Sequence, residues 1–486
     1  MRSLSIPAAA ALVVLAAAGS VRAGGFMIYE HGSAATGMTG ARTALWDDPS
    51  SMFYNPSAIT ELDGFQLSLG DSLIFPEISY TPSGVAYTSA GRVTNACDAA
   101  GSCHPATTEF SLFYPAHIYF TAETVSWLHV GLGYNNPFGL GTYWPEDWDG
   151  RFTAYQTYIE THFIQPVLAF DVAELVGMDE RYALSFAVGG YYVYGKATIH
   201  SKLDASALYF NPADPEPVAD MKLEGDGHGG GFHFSLFAAV KDWVSFGASF
   251  RSSVTMDFEG TAEFSAPEST WGTLMRSLGL LPAATPGSTS IELPWNMNFG
   301  IAFHGVPRFT FAFDAYVALW QSYDQLQVHF DCESLDPPNN CGGELNAAAI
   351  YPKKWNTGVQ LSFGVEYRPI DAIAIRTGYG YVTDPSNPEY YDGMLPDGNR
   401  HLVTFGLGYR APELFKVDLG YMLALWSETK DNAVGTTAAP FTNGQANGEY
   451  ETVTHIVALT LGFSFDLDGM TPPPTLDAPV LGGGEI

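Results

Sequence analysis

Residues 25–62 read GFMIYEHGSAATGMTGARTALWDDPSSMFYNPSAITEL. This stretch is neither a good strand nor a good helix. Gly32, Gly37 and Gly40 interrupt regular structure, while Asp47, Asp48, Pro49 and the Asn55-Pro56 pair call for tight turns. A polar, turn-rich segment cannot itself cross a membrane. Yet it carries Phe26, Ile28, Trp46, Met52, Phe53 and Tyr54, which need burial. Buried aromatics with little regular structure fit a plug inside a wider container.

The residues before it form a targeting signal, assigned to positions 1–23. Arg2 supplies the positive start, Ala8 to Ala18 the apolar run, and Val21-Arg22-Ala23 the small-residue cleavage pattern, so the mature chain is expected to begin at Gly24. No later segment approaches the roughly 20 apolar residues of a spanning helix. Gly 51, Tyr 26, Phe 32 and Trp 10 beside a charged fraction of 15% describe a glycine- and aromatic-rich β protein. A mean hydropathy of +0.02 is too polar for a helical membrane protein. It suits a transmembrane barrel, in which every second strand residue faces lipid. The net charge of -31 excludes a nucleic-acid partner and reads as solvated acidic loops.

After the plug, period two dominates. Val244, Phe246, Ala248, Phe250, Val254, Met256 and Phe258 alternate with Ser245, Gly247, Ser249, Arg251, Thr255, Asp257 and Glu259. Similar runs occupy 359–367, 373–381 and 453–465. The polar positions are mostly Gly, Ser and Ala, which suits a crowded lumen better than the solvated face of a soluble β-sandwich. Short turns near 122–126, 174–180, 241–242, 305–308, 368–371 and 411–414 alternate with long polar loops near 76–107, 141–150, 201–229, 265–288, 331–352, 384–399 and 427–450. That pattern predicts an all-β antiparallel barrel of about 14 strands over 63–465, with residues 24–62 as a hatch in its lumen. Cys97 and Cys103, like Cys332 and Cys341, are close neighbours in outer loops, and local disulfides are expected in an exported chain. A four-thiolate zinc site lacks CxxC spacing.

Four motifs in order give a family resemblance. Asp47-Asp48 followed by Asn55-Pro56, Pro137-Phe138-Gly139, Asp314 with Trp320, and Arg376-Thr377-Gly378 with Pro396-Asp397-Gly398-Asn399-Arg400 resemble the FadL outer-membrane transporters of long-chain fatty acids and other hydrophobic compounds. Ser57 stands where that family has Ala. The resemblance implies passive transport in the bacterial outer membrane. Ligand would be caught in an outer groove and held in a pocket gated by the hatch through Asp47, Asp48, Asn55 and Pro56. It would leave sideways beside a kinked third strand at Asn136, Pro137, Phe138, Gly139 and Gly141. Pro137 removes a ladder hydrogen bond and the glycines permit a bend; alternatively, Pro137 ends the strand at the membrane edge. The barrel normally finishes on a terminal aromatic. Here Phe465 is followed by residues 466–486, a Pro- and Gly-rich stretch read as an unstructured periplasmic tail.

Trp271, Leu274, Met275 and Leu278 fall at helical spacing and make one apolar face, a landing surface for ligand unless it packs against residues 201–223. An acidic ligand would need a cation. Arg251 and Arg376 point inward by parity, Lys353 or Lys354 lies near a ligand-contacting lysine of the family, and Lys196 lies near another basic position although alternation turns it to lipid. The alternative role of each is an ion pair with an inward Asp257, Glu259, Glu366 or Asp314. The expected partners are a long-chain fatty acid or another hydrophobic small molecule, and outer-membrane lipid around a monomer, with no cofactor and no metal. No serine beside His162, His401 or His455 forms a hydrolase motif, so no enzyme is expected. The alternative function is a non-selective aqueous porin.

Overall fold

The computed structural model describes residues 24–83, 105–204, 218–265, 270–278, 281–332, 349–411, 415–430 and 446–465. Residues 1–23 and 466–486, expected as signal segment and tail, and Cys97, Cys103 and Cys341 lie outside them.

The alternating stretches close into one antiparallel barrel of 14 strands. β1 is Phe65–Pro82, β2 Ala116–Val125, and β3 the two pieces Leu128–Asn135 and Gly139–Tyr143. β4 is Gln156–Asp171, β5 Tyr182–Asp204 and β6 Val218–Val240. β7 is Val244–Arg251 plus Val254–Ser265, β8 Ala284–Leu293 plus Asn296–Val306, and β9 Phe309–Leu319 plus Gln325–Phe330. β10 is Ile350–Pro352 plus Thr357–Ile370, and β11 to β14 are Ile373–Val382, Arg400–Ala411, Phe415–Lys430 and Gly448–Phe465. Phe65 of β1 faces Phe465 of β14 on one side and Ala122 of β2 on the other, so the ring has no open edge.

Side-chain parity explains why this sequence makes a membrane barrel. On β11, Ile373, Ile375 and Tyr379 are exposed while Ala374, Arg376, Gly378 and Gly380 are buried. The apolar set faces lipid, and the small or charged set faces the lumen. Residues 24–62 fill that lumen, with Met38, Ala41, Ala44, Met52, Phe53, Tyr54 and Ile59 fully buried. Short helices at Ser33–Thr36 and Ser51–Tyr54 and a 3-10 turn at Pro56–Glu61 carry the hatch between its glycine-rich bends. A β-carbon at Gly247 would overlap the Thr43 carbonyl, so glycine there lets the hatch lie against the wall.

Two expectations need correcting. Alternation does not run unbroken through β7. It is interrupted at Ser252 and Ser253, so Arg251 is buried below the break while Asp257 and Glu259 face outward above it. Above the break Val254, Met256 and Phe258 turn into an apolar interior shared with Ile291 and Leu293 of β8. The rule for a lipid-bathed strand, apolar residues outside, gives way there to the rule for a water-bathed one. The loops expected at 201–229 and 265–288 are also shorter. β5 and β6 run 23 residues each, about 75 Å of strand, and β8 already begins at Ala284.

Candidate functional site

The hatch is held to the wall chiefly by its backbone, which has few regular partners of its own. Asp314 accepts the N–H groups of Arg42 and Thr43 at 2.9 and 2.7 Å. Ser362 and Gln360 donate to Thr39 O at 2.7 and 3.1 Å, and Thr404 donates to Gly37 O at 3.0 Å. Ser249 donates to Tyr54 O at 2.8 Å. Asn55 was expected to stabilise its own turn. Its amide also bridges, donating to Thr43 O at 2.9 Å and to Leu236 O of β6 at 3.0 Å. Pro56 opens the 3-10 turn that follows.

Asp47 and Asp48 enter a compact charge network at the hatch's lower end. Arg42 binds both carboxylates, Lys416 lies 3.0 Å from Asp48, and Arg368 lies 3.3 Å from Asp47. The wall side continues through Arg376, 2.6 Å from both Glu366 and Asp418. Burial alone would push the two hatch carboxyls up; Arg42 and Lys416 override it and hold both below the usual carboxylate range.

At the third strand the ladder parts. β3 pairs with β2 up to Tyr134 opposite Ile118, whereas Gly139–Tyr143 pairs with β4. Between them Asn136 donates to Thr161 O at 2.7 Å, and Thr161 Oγ1 donates to Phe138 O at 2.7 Å. The start of the hatch adds itself as a short strand to this break. Ile28 N–H donates to Pro137 O at 2.8 Å and Gly139 N–H to Phe26 O at 2.9 Å. Phe113 covers the seam, its ring 6.4 Å from those of Tyr143 and Tyr158 and packed against Gly141.

A cavity of about 570 Å³ lies inside this seam, lined by Met27, Ile28, Phe113, Phe138, Leu140 and residues of β11 to β14. A smaller apolar cavity of about 50 Å³ lies among Ile199, Leu223, Phe258, Ile291 and Leu326. Phe26 lines both. Its ring is 4.7 Å from Trp320 and within 6.1 Å of Phe138, Tyr323 and Trp355.

The expected ligand cations are not gathered at these cavities. Arg251 is spread over the Phe53 ring at 4.3 Å and donates to Phe53 O. Arg376 is consumed by Glu366 and Asp418, and Lys353 lies 2.5 Å from Asp392. Lys354 is exposed over Tyr390, and Lys196 faces outward between Glu160 and Asp226. Among the described lining residues of the larger cavity, the one Lys or Arg is Arg400, paired with Asp397 at 2.8 Å. The expected helix forms at Thr270–Ser277, with Leu274 exposed on it and Leu278 exposed just beyond. The side chains of Trp271 and Met275 lie outside the description. Cys332 is buried and disulfide-bonded. From sequence Phe26 was one of several hatch side chains needing burial, with no role between cavities, and Phe113 was not singled out. The latter sits in a stretch without strand periodicity.

A closed barrel with an internal plug, charged and small residues inside and apolar residues outside, defines an outer-membrane transport channel. Residues 14–465 match the family described as outer membrane protein transport protein (OMPP1/FadL/TodX), and the chain belongs to that family. It is 20% identical over 413 residues to the long-chain fatty acid transport protein of Escherichia coli, covering 82% of this chain and 85% of that one. A FadL homologue of Pseudomonas aeruginosa superposes with a TM-score of 0.75 at 18% identity, over 91% of this chain and 100% of that one. The toluene transporter TodX of Pseudomonas putida superposes with a TM-score of 0.63 at 15% identity, over 92% of this chain and 99% of that one. The chain is thus an outer-membrane transporter of the hydrophobic-compound class and not an enzyme.

Proposed function

We propose that this channel carries uncharged hydrophobic small molecules, aliphatic or aromatic, across the outer membrane and releases them sideways at the β3 break. The observation carrying this reading is the composition of the larger cavity. Apolar side chains line most of it, Glu30, Glu109, Glu160 and Asp397 add carboxylates, and the guanidinium of Arg400 is already paired. A ligand carboxylate entering there would meet like charge and lose hydration without a free cation to replace it. A neutral apolar molecule loses nothing on leaving water.

In this path ligand lands near Leu274 and Leu278 and passes the small apolar cavity. It moves beyond Phe26 into the larger cavity and exits where Phe113 covers the seam between β2 and β3. The hatch start bonded to Pro137 and Gly139 makes the seam and the Phe26 position move together. The family's named members include transporters of both a fatty acid and toluene, which leaves the charge of the ligand to be tested. Uptake of a neutral aromatic hydrocarbon and of a long-chain fatty acid is compared in cells carrying the full chain. Faster uptake of the hydrocarbon, unaffected by Arg400→Met, supports the reading. Faster fatty-acid uptake that Arg400→Met abolishes overturns it.

A further inference from the structure

Outside the lumen, one cross-strand pattern recurs four times on the lipid-facing wall. Tyr134 OH meets His162 Nδ1 at 2.8 Å, Tyr192 meets His228 at 2.7 Å, Tyr379 meets His401 at 2.8 Å, and Tyr421 meets His455 at 2.9 Å. Each tyrosine is on an upward strand, β3, β5, β11 or β13, and each histidine two residues diagonally away on the next strand. Counted from the inner end of each strand, Tyr134, Tyr379 and Tyr421 stand six residues up and Tyr192 ten, so the pairs form a band around the upper part of the wall.

That band is a chemical boundary. Below His228 on β6 the outward residues are Phe232, Phe234 and Leu236; above it they are Asp226 and Glu224. Below His401 come Val403, Phe405 and Leu407. Below His455 come Val457 and Leu459, and above it Val453, then Glu451 and Glu449. The short Tyr OH to Nδ1 distance is met when the tyrosine hydroxyl donates to an unprotonated Nδ1. In the neutral ring the histidine proton then resides on Nε2. His162 Nε2 is 3.4 Å from Glu160. His228, His401 and His455 are exposed on the outer face.

We propose that these three histidines, each set by its tyrosine, donate Nε2–H to the acyl-ester carbonyl oxygens of the surrounding lipid. The acceptor is the carbonyl rather than the phosphate because the carboxylates of Glu224, Asp226, Glu449 and Glu451 stand immediately above and repel an anion. The carbonyls lie at the top of the hydrocarbon region, where a donor on the wall has few other partners. The two arcs, β3 to β6 and β11 to β14, flank the β1–β2 sector, where Phe110, Leu112 and Tyr114 are exposed beside the seam. The belt holds the outer edge of the hydrocarbon at the level of the break, and Asn136 of that break itself lies 3.1 Å from His162 Nδ1.

The test uses the full chain refolded into vesicles of diacyl phosphatidylcholine or of its dialkyl ether analogue with the same chain length, which lacks the carbonyls. Guanidinium unfolding is followed by tryptophan fluorescence. The wild type unfolds at lower denaturant in the ether lipid, and H228F/H401F/H455F shows one midpoint in both lipids. If the triple variant does not insert, Y192F/Y379F/Y421F serves instead, because without the hydroxyl the ring proton is no longer confined to Nε2, and its midpoint difference shrinks. Equal wild-type midpoints in the two lipids, or an undiminished difference in the inserted variant, overturn the proposal. None of these readouts depends on which compound the channel carries.

Discussion

Asp314 of β9 accepts the Thr43 N–H of the hatch at 2.7 Å, through the same oxygen that takes the Arg42 N–H. One wall carboxylate thus fixes the middle of the plug. Hydrogen bonds to a charged acceptor contribute about 1.5–3 kcal/mol each. Asp314→Ala leaves strand pairing untouched, so the barrel assembles, but the hatch opens roughly tenfold more often for each 1.4 kcal/mol lost. Planar-bilayer recordings of the variant show frequent openings where the wild type is quiet. An equally quiet variant would mean that the other wall contacts suffice.

Asn55 joins Thr43 O and Leu236 O and accepts from Ser57 Oγ at 2.7 Å. Asn55→Ala leaves two buried carbonyls short of a donor, at about 1–3 kcal/mol each. Heat-modifiable migration of the folded barrel is retained while hydrocarbon uptake falls several-fold. Normal uptake would reduce the hatch to a passive filler.

The pH response of the hatch follows from Asp47 and Asp48, whose carboxyls Arg42 and Lys416 hold low against burial. A carboxyl depressed in the folded state contributes stability above its unfolded value, about 4, and loses it as the pH falls through the lower folded value. Hatch closure in bilayer recordings therefore persists from neutral pH to about 4 and fails only in stronger acid. Lys416→Met moves that failure upward. Opening of the wild type near pH 6 would count against the network as the lock.

The break in β3 gives the sharpest transport prediction. A β-carbon at Gly139 would meet only the movable tip of Ile28 at 3.0 Å and Ile159 O at 3.5 Å, so a side chain fits there. Pro137→Val with Gly139→Thr adds a ladder donor and two strand-favouring residues. Delivery of ligand falls about tenfold or more, while ligand co-purifying with the protein is unchanged. Undiminished delivery by a folded variant would mean that ligand leaves along the barrel axis.

Phe26 separates the two cavities. Phe26→Ala joins them, and the ligand recovered by organic extraction of the purified protein drops while the barrel stays folded. Unaltered retention would place the gate elsewhere.

The sequence alone determined the class of this protein because its signals are local. Period-two alternation with Gly, Ser and Ala on one parity, turns alternating between short and long, and a polar aromatic-bearing segment before the first strand require no knowledge of partners. They define a plugged barrel of about 14 strands. A break at Pro137 was implied by the family resemblance, with the missing N–H as its local reason and an end of the strand at that point as the alternative.

Only the tertiary structure decided which charges are free. From sequence Arg251 and Arg376 read as inward by parity and Lys353 as lying near a ligand-contacting lysine of the family, each with a wall ion pair as its alternative role, and sequence left the choice between ligand and wall open. Each is consumed by Phe53, by Glu366 and Asp418, or by Asp392, partners remote in the chain or on a different element. The same holds for Asp257 and Glu259. Parity propagates along a strand only while pairing is regular, and two serines at 252–253 suffice to reverse it. The cavity lined by Phe26 and Phe113 forms where residues 26–28 of the hatch, remote in the chain, add to β3 at its break. That contact depends on barrel closure, and no local pattern encodes it.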